Sequence, residues 1–270
     1  MKVALAQMDI VWEDKEKNSI KSENKIKEAK EKGADLILFP EMSFTGFSMN
    51  VEKIGETKKH KNQFESVEKI QKFAKKYEMG IGFGYVEKEG EMGKNHYTVI
   101  SKDGQVISDY VKIHPFSYGG EDQYYESGNR IEVFEMQGWK IATFICYDLR
   151  FPEIFQIASS KAQVIIVAAN WPESRREHWL VLLKARAIEN QCYIIGVNRT
   201  GMGGGISYVG DSMVIDPYGK ILEVMREKEG LILCEIDRQV AEEWRQQFPQ
   251  RKDRKSDYLA LDRTGVTFDN

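Results

Sequence analysis

Short apolar runs recur along the whole chain, and the segments between them are polar. Several of the runs are rich in isoleucine, valine and aromatic residues, which favour β-strands. Eleven strands are predicted on this basis, at residues 3–8, 35–39, 80–86, 97–101, 106–112, 140–146, 163–169, 192–197, 207–215, 221–226 and 231–236.

Five other segments have helical features, at residues 18–32, 63–77, 151–159, 175–190 and 240–248. The second of these carries Phe64, Val67, Ile70 and Phe73 at the three- and four-residue spacing of an amphipathic helix. The third has Pro152 in its first turn, where proline is tolerated. Helices are therefore expected between and after the strands.

The order strand, helix, strand, helix, followed by hairpins and further helices, is typical of an α/β fold with mixed sheets. Because eleven strands would make one open sheet large, two sheets packed face to face are expected. Turn sequences at residues 102–104 and 216–219 predict tight connections between neighbouring strands. No repeat or low-complexity linker divides the chain, so we expect a single domain over residues 1–270, with a charged tail from about residue 251.

Two glycine clusters resemble phosphate-binding sequences only superficially. The cluster at residues 80–84 has no following helix and predicts a tight strand in which small residues allow close backbone packing. The cluster at residues 201–205 lacks the Lys-Ser/Thr of a phosphate loop and predicts a flexible loop.

Composition excludes several classes of protein. The net charge of −3 argues against a nucleic-acid partner, and no apolar run is long enough to span a membrane. The N-terminal apolar stretch is too short for a signal-peptide core, so a cytoplasmic protein is expected. Cys146, Cys192 and Cys234 are an odd number without C-x-x-C spacing, and no histidines have metal-ligand spacing. We therefore expect neither a disulfide framework nor a metal.

Three residues that could take part in catalysis each end an apolar strand. Cys146 ends the strand at 140–146 and precedes a proline that suits a helix start, so its thiol would project from a strand-to-helix corner. The alternative is a buried core cysteine, as we expect for Cys192 and Cys234. Glu41 ends the strand at 35–39 and could shuttle protons, or could be a solvated loop residue. Lys112 ends the strand at 106–112 and could stabilise an oxyanion, or could shield a strand edge.

The order Glu41, Lys112, Cys146, together with the flanking residues, resembles the nitrilase superfamily of carbon–nitrogen hydrolases. The segments 39–41, 110–114 and 146–153 are similar to the three catalytic blocks of that superfamily. The resemblance extends through segments 169–172, 178–179, 185–191 and 216–219, and looks closest to the omega-amidase branch. It implies a four-layer α-β-β-α sandwich, a homodimer or larger homo-oligomer, and no cofactor.

The resemblance also implies a role for each residue of the site. Glu41 would take the proton of Cys146 as the thiolate attacks an amide carbon, and would later activate water. Lys112 and the backbone N–H of Tyr147 would hold the oxyanion. Glu121 matches a second glutamate of the family, which positions the lysine or the substrate; an exposed loop carboxylate is the alternative.

A structural ion pair at a helix start is expected for two residues that follow the nucleophile, Arg150 and Glu153.

Omega-amidases act on keto-acid amides such as α-ketoglutaramate, so a cation should meet the substrate carboxylate. The candidates are Arg175, Arg176 and Arg199, each of which could instead be a surface charge or a dimer contact. Asn170 and Trp171 could form a pocket wall beside the nucleophile. Other functions stay open at this point: hydrolysis of an N-carbamoyl amine, an aliphatic amide or a nitrile, or a non-catalytic binding or scaffold role.

Overall fold

The computed structural model describes residues 1–58 and 64–255. Within these residues the strands are Lys2–Gln7 (β1), Leu36–Leu38 (β2), Gly80–Glu89 (β3), Met92–Ile100 (β4), Val106–Val111 (β5), Tyr125–Glu126 (β6), Val133–Met136 (β7), Trp139–Ile145 (β8), Val164–Ala169 (β9), Tyr193–Asn198 (β10), Thr200–Gly203 (β11), Ile206–Ile215 (β12), Ile221–Arg226 (β13) and Gly230–Glu235 (β14). The helices are Lys15–Glu31 (α1), Val51–Ile54 (α2), Glu65–Tyr77 (α3), Pro152–Ser159 (α4), Arg176–Asn190 (α5) and Arg238–Gln247 (α6).

The strands form two mixed sheets with the same plan. The first has the order β14-β1-β2-β3-β4-β5, with β6 beside β4, and its three parallel strands β1, β2 and β3 are flanked by antiparallel neighbours. The second has the order β11-β12-β10-β9-β8-β7, with β13 beside β12, and β8, β9 and β10 are its parallel strands. The predicted α/β class with two mixed sheets is confirmed.

Successive side chains of a strand point to opposite faces of the sheet and so belong to two different apolar layers. In β1, Val3 and Leu5 face the cluster between the sheets, whereas Ala4 and Ala6 face the cluster beneath α1 and α3. Since both faces of the strand are buried, its sequence reads as a continuous apolar run. Helices α4 and α5 cover the other sheet, and α5 contributes Leu183 to the larger cluster. The four layers are therefore helix, sheet, sheet and helix, as predicted.

Three short strands were not expected, β6, β7 and β11. The third corrects the prediction of a flexible loop at residues 201–205. Thr200–Gly203 pairs antiparallel with β12, and Gly204 and Gly205 form the turn with φ of +57° and +78°. The glycine-rich composition suits a tight hairpin that requires positive φ.

The C-terminal region is only partly described. Gln250–Asp253 forms a 3-10 turn, and the partly buried Arg254 donates hydrogen bonds to Gln156 O and Glu189 O, near the C-terminal ends of α4 and α5. Arginines at this position satisfy carbonyls that helix ends leave free. The predicted tail from about residue 251 otherwise lies outside the described residues. No helix within residues 1–58 and 64–255 has the length and apolar character to cross a membrane.

Candidate active site

The ends of strands from both sheets meet at one place. Glu41 lies three residues after β2, Lys112 directly follows β5, and Cys146 directly follows β8. Lys112 Nζ is 3.1 Å from Glu41 Oε1, and the two side chains are almost completely buried. The fold therefore brings together residues that are 71 positions apart in the chain.

Glu41 is held by donors on both carboxylate oxygens. Oε1 accepts from Lys112 Nζ at 3.1 Å and from Asn95 Nδ2 at 2.8 Å. Oε2 accepts from the backbone N–H of Asn170 at 2.9 Å and from its Nδ2 at 3.3 Å. These contacts fix the orientation of the carboxylate. Sequence reasoning did not identify Asn95.

Glu121 is the second carboxylate on Lys112. Its Oε2 lies 2.7 Å from Lys112 Nζ and accepts the backbone N–H of Phe116 at 2.5 Å. Burial raises the pKa of Glu121, an effect that Lys112 opposes and the charge of Glu41 adds to. Burial alone would lower the pKa of Lys112, but Glu121 and Glu41 outweigh it and raise that pKa. Lys112 is therefore a fixed ammonium, and Glu121 is not an exposed loop carboxylate.

Cys146 occupies a strained corner between β8 and a 3-10 turn, Cys146–Arg150. Its φ is +46°, which a non-glycine residue rarely adopts and which is frequent at functional sites. Residue Cys146 as a whole is partly exposed, whereas Cys192 and Cys234 are buried, and its sulfur lies 3.9 Å from the carbonyl oxygen of Asn170. Burial of the sulfur and the charge of Glu41 raise the pKa of the Cys146 thiol, and Lys112 lowers it.

Asp148 connects the cysteine corner to the end of β5. Its carboxylate accepts from the backbone N–H of Ile145 at 3.0 Å and from the hydroxyl of Tyr110 at 2.8 Å. It also accepts the backbone N–H of His114 at 3.0 Å, and the ring Nδ1 of His114 lies 2.8 Å from it. The side chain is completely buried, so it links the segments that carry Cys146 and Lys112.

Asn170 and Trp171, the two residues predicted to form a pocket wall, follow β9 directly. Asn170 contacts Glu41 and Cys146, as described above. Trp171 is buried, donates from its backbone N–H to Asn198 Oδ1 at 2.8 Å, and donates from Nε1 to the carbonyl of Arg175 at 2.7 Å. The indole therefore fixes the segment that leads to α5.

Arg176 and Arg199, two of the arginines predicted to bind a substrate carboxylate, contact groups of the protein itself. Arg176 forms a bidentate pair with Asp211, at 2.6 and 3.0 Å, which raises the pKa of the arginine. Arg199 is completely buried and donates to the carbonyls of Thr200, Ile10 and Met202. Both arginines hold segments of the polypeptide together. Arg176 is occupied by Asp211, whereas Nη1 of the buried Arg199 has no hydrogen-bond partner among the described residues.

Arg150 and Arg175 have a different environment. Arg150 lies 4.9 Å above the ring of Trp171 and 3.1 Å from His178 Nδ1, and Arg175 lies 5.1 Å above the ring of Phe116. Within residues 1–58 and 64–255, no carboxylate lies within 4 Å of either guanidinium. Burial and the charge of Arg175 lower the pKa of Arg150.

The expected ion pair between Arg150 and Glu153 is therefore not formed. The 3-10 turn ends at Arg150 and a separate helix starts at Pro152, so the two side chains do not share a helix face.

A thiol, two carboxylates and an ammonium lie together between the two sheets. This combination is typical of the active site of a hydrolase with a thiol nucleophile. The carbon–nitrogen hydrolase family model matches residues 2–246. The chain belongs to the carbon–nitrogen hydrolase family.

Curated relatives and a solved structure agree with this membership. The chain is 34% identical to a 2-oxoglutaramate amidase of Bacillus subtilis, over 94% of this chain and 98% of the relative. It is 32% identical to the omega-amidase YafV of Escherichia coli strain K12, over 94% and 96%. A superfamily protein from Xanthomonas campestris, with an arsenic adduct in its active site, has a TM-score of 0.86 at 28% identity, over 100% of this chain and 98% of that one.

These comparisons confirm the predicted superfamily and the prediction of a hydrolase that acts on carbon–nitrogen bonds other than peptide bonds. They also support the predicted omega-amidase-like activity, because two of the relatives bear such names.

Proposed function

We propose that the protein hydrolyses the terminal carboxamide of a small keto-dicarboxylic acid monoamide, with α-ketoglutaramate as the representative substrate. The observation that supports this most directly is the pairing of two features. A thiol lies among Glu41, Lys112 and Glu121, and two guanidinium groups that have no carboxylate partner among the described residues lie close by. The first feature suits acyl transfer, and the second suits a substrate that carries a carboxylate.

The first half of the reaction forms a thioester. Glu41 takes the thiol proton of Cys146, and the sulfur bonds to the amide carbon, which gives a tetrahedral oxyanion. Glu41 then returns the proton to the nitrogen as the carbon–nitrogen bond breaks, and ammonia leaves. The raised pKa of the thiol means that a positioned base is required, because little thiolate forms without one.

The second half releases the acid. Glu41 takes a proton from water as the water oxygen bonds to the thioester carbon, and the thiolate leaves when the second tetrahedral intermediate collapses. The proton on Glu41 then returns to the sulfur. One carboxylate serves both halves because each half begins with proton removal and ends with proton return. We expect no cofactor, because the acyl chemistry needs only the thiolate, the proton shuttle, the oxyanion donors and water.

Lys112 and the backbone N–H of Tyr147 are our proposed oxyanion donors. Tyr147 is the second residue of the 3-10 turn Cys146–Arg150, and N–H groups in a first helical turn lack an acceptor within that turn. Lys112 carries a fixed positive charge between two carboxylates. A preorganised donor pair of this kind stabilises negative charge without reorganisation during the reaction. Glu121 keeps Lys112 in place.

Arg150 and Arg175 are our proposed ligands of the substrate carboxylate. Each is only partly exposed, and each is stacked on an aromatic ring of the site, Trp171 or Phe116. Two adjacent cations repel each other, and a bound carboxylate relieves that repulsion while accepting bidentate hydrogen bonds. Asn170 and Trp171 complete the wall of the pocket.

Ammonia release from a panel of substrates tests the proposal. The panel comprises α-ketoglutaramate, the corresponding keto amide of asparagine, an N-carbamoyl amine, an aliphatic amide and a nitrile. We expect the two keto-acid amides to be turned over with the highest kcat/KM, and Cys146→Ala to lose at least about 10³-fold in kcat. Cys192→Ala is the matched control and should retain activity. No ammonia from either keto-acid amide would refute the assignment, and preference for another member of the panel would identify the alternative.

Covalent labelling of Cys146 distinguishes an enzyme from a non-catalytic scaffold protein. An electrophilic substrate analogue should modify Cys146 stoichiometrically, as judged by the mass of the peptide that contains it. An inert Cys146 would support the scaffold.

We also propose a homodimer or larger homo-oligomer. Ile157 of α4 and Val181 and Ile188 of α5 are about half exposed or more, at 53%, 61% and 48%. Val181 and Ile188 are seven residues apart and so lie on the same face of α5. Light scattering should give at least twice the chain mass of 31.2 kDa, and Val181→Glu should reduce it.

A cytoplasmic location is consistent with three free cysteines, all of them among the described residues.

A further inference from the structure

Asn95 contacts all three charged residues at the base of the site. Its backbone carbonyl accepts the backbone N–H of Lys112 at 2.9 Å. Its side-chain Nδ2 donates to Oε1 of Glu41 at 2.8 Å and to Oε1 of Glu121 at 3.2 Å. One amide group therefore joins two carboxylates that belong to different segments of the chain.

We propose that Asn95 is a positioning residue, which holds Glu41 and Glu121 on either side of Lys112 in the arrangement that the reaction needs. The inference rests on the proposed function and deepens it, because it adds a fifth polar side chain to the proposed machinery of Glu41, Lys112, Cys146 and Glu121. Asn95 does not act on the substrate, since it is 1% exposed and its contacts are with the glutamates and the lysine.

The unpaired end of the amide supports a functional reason for the residue. Asn95 Oδ1 is buried and has no hydrogen-bond partner among the described residues. A buried acceptor without a partner costs free energy, and an apolar side chain of similar volume would avoid that cost. Packing therefore does not explain an asparagine here, whereas its NH2 group, with one hydrogen for each carboxylate, does.

Charge explains why a neutral donor is suited to this position. Glu41 and Glu121 share one cation, Lys112, and are otherwise two like charges in a buried site. Like charges repel strongly where water is excluded. A second lysine would neutralise the carboxylate that must act as a base, and an aspartate would add a third negative charge. The amide of Asn95 draws the two carboxylates together and leaves the net charge unchanged.

Loss of the bridge should affect the reaction in two ways. Without it, the carboxylates separate and Lys112 moves with them, so the proton shuttle and the oxyanion donor leave their productive positions; a displacement of about 1 Å can reduce a rate about 100-fold. The ionised carboxylates also lose a donor, so protonation of the site begins at higher pH. A residue that only supports folding would produce neither effect.

The test compares Asn95→Ala and Asn95→Ser with the wild-type protein. In Asn95→Ala we expect kcat to fall about 10- to 100-fold with little change in KM, and the acid limb of kcat/KM to move to higher pH. Asn95→Ser should be intermediate, because one hydroxyl can donate to only one of the two carboxylates. It is also the milder substitution and provides the decisive measurement if the alanine variant does not fold.

Asn190→Ala is the matched control. Asn190 is equally buried and hydrogen-bonded, to Ser159 and Arg186, but lies at the end of α5. The Asn190→Ala variant should have a lower melting temperature, and the acid limb of its kcat/KM profile should not move.

A second readout needs no substrate. It is the rate at which iodoacetamide alkylates Cys146, measured as a function of pH from the mass of the peptide. Failure of the wild-type protein to hydrolyse keto-acid amides would remove the proposed function alone. An unchanged kcat and an unchanged alkylation profile in Asn95→Ala would overturn the inference about Asn95.

Discussion

The ammonium of Lys112 lies 2.7 Å from Oε2 of Glu121, and both side chains are almost completely buried. A second carboxylate, that of Glu41, lies 3.1 Å from the same nitrogen. Removal of one member of a buried ionic group leaves the remaining charge without compensation, which costs more than the intact group contributes. Loss of Lys112 therefore leaves two like charges without a cation, whereas loss of one glutamate leaves the lysine paired with the other.

Lys112→Met should destabilise the protein more than Glu121→Gln. The methionine leaves two carboxylates facing each other without a cation, and we expect the free energy of unfolding at pH 8 to fall by about 3–5 kcal/mol. The loss should shrink at pH 5.5, because a carboxylate with a raised pKa takes up a proton and the repulsion disappears. Glu121→Gln leaves Lys112 paired with Glu41 and should cost less. Urea unfolding at the two pH values measures this, and equal losses in the two variants would contradict it.

Arg150→Gln should change substrate choice rather than the chemical step. If the guanidinium binds the substrate carboxylate, its loss should reduce kcat/KM for α-ketoglutaramate about 10- to 100-fold, the equivalent of charged hydrogen bonds worth about 1.5–3 kcal/mol. Hydrolysis of an uncharged amide of the same length should be little affected. The ratio of the two kcat/KM values is the measurement.

Arg176→Gln is the matched control for that ratio. Arg176 is paired with Asp211 at 2.6 Å and 3.0 Å, so its loss should lower the melting temperature and leave the ratio unchanged. If the ratio of the two kcat/KM values changes in Arg176→Gln and not in Arg150→Gln, then Arg176 rather than Arg150 binds the substrate carboxylate.

The principal groups of the site could be anticipated because each ends a recognisable strand, and because their order and flanking residues resemble the catalytic blocks of the nitrilase superfamily. Glu41, Lys112 and Cys146 each interrupt an apolar run, and the ends of strands in α/β folds are where sites assemble. Two sheets packed face to face could be anticipated from the number of strands, and the four-layer arrangement from the resemblance to the nitrilase superfamily.

The remaining parts of the site depend on long-range geometry that local patterns do not carry. Asn95 belongs to β4, which begins at Met92, whereas the apolar pattern predicts this strand only from residue 97 and therefore does not place Asn95 in the same row as Tyr97 and Val99. The sequence predicts an ion pair between Arg150 and Glu153 at the start of a helix over 151–159, whereas Arg150 ends a 3-10 turn and the helix begins at Pro152. Neighbours in sequence predicted a contact that a change of helix type prevents.

Gly84 should tolerate no side chain, for a reason that concerns Glu41. A Cβ at this position would lie 2.4 Å from the backbone nitrogen of Met42 and 3.0 Å from the carbonyl carbon of Glu41. Gly84→Ala must therefore displace the turn that carries the proposed base, and we expect kcat to fall about 100-fold. In the same strand, Gly80→Ala would meet Met136 Cε at 2.6 Å, the end of a flexible side chain, and serves as the control. Both variants should fold by circular dichroism; equal activities would show that the turn adjusts without moving Glu41.

His96 is buried between two carboxylates on the face of β4 opposite to Asn95. Its Nδ1 lies 3.0 Å from Asp109 Oδ1 and its Nε2 lies 3.0 Å from Glu87 Oε2. Burial disfavours the imidazolium, but the hydrogen bonds to Asp109 and Glu87 outweigh burial and raise the pKa of His96. Correspondingly, the pKa of Asp109 is lowered, in part by His96. The ring also stacks on Tyr85, with centroids 4.8 Å apart.

His96→Gln should therefore destabilise the protein most under mildly acidic conditions. A group whose pKa is raised on folding stabilises the folded state fully below its unfolded pKa, which is about 6.5 for histidine, and this contribution is lost as pH rises through the folded pKa. The difference in unfolding free energy between wild type and His96→Gln should thus be largest near pH 6 and decline above it, while Asp109 and Glu87 stay ionised throughout. Urea unfolding at pH 6, 7, 8 and 9 measures the decline. Glu87→Gln and the double variant complete a thermodynamic cycle, in which the coupling between Glu87 and His96 should weaken over the same interval. A difference that is constant with pH would mean that His96 is neutral in the folded protein and contributes through packing against Tyr85 alone.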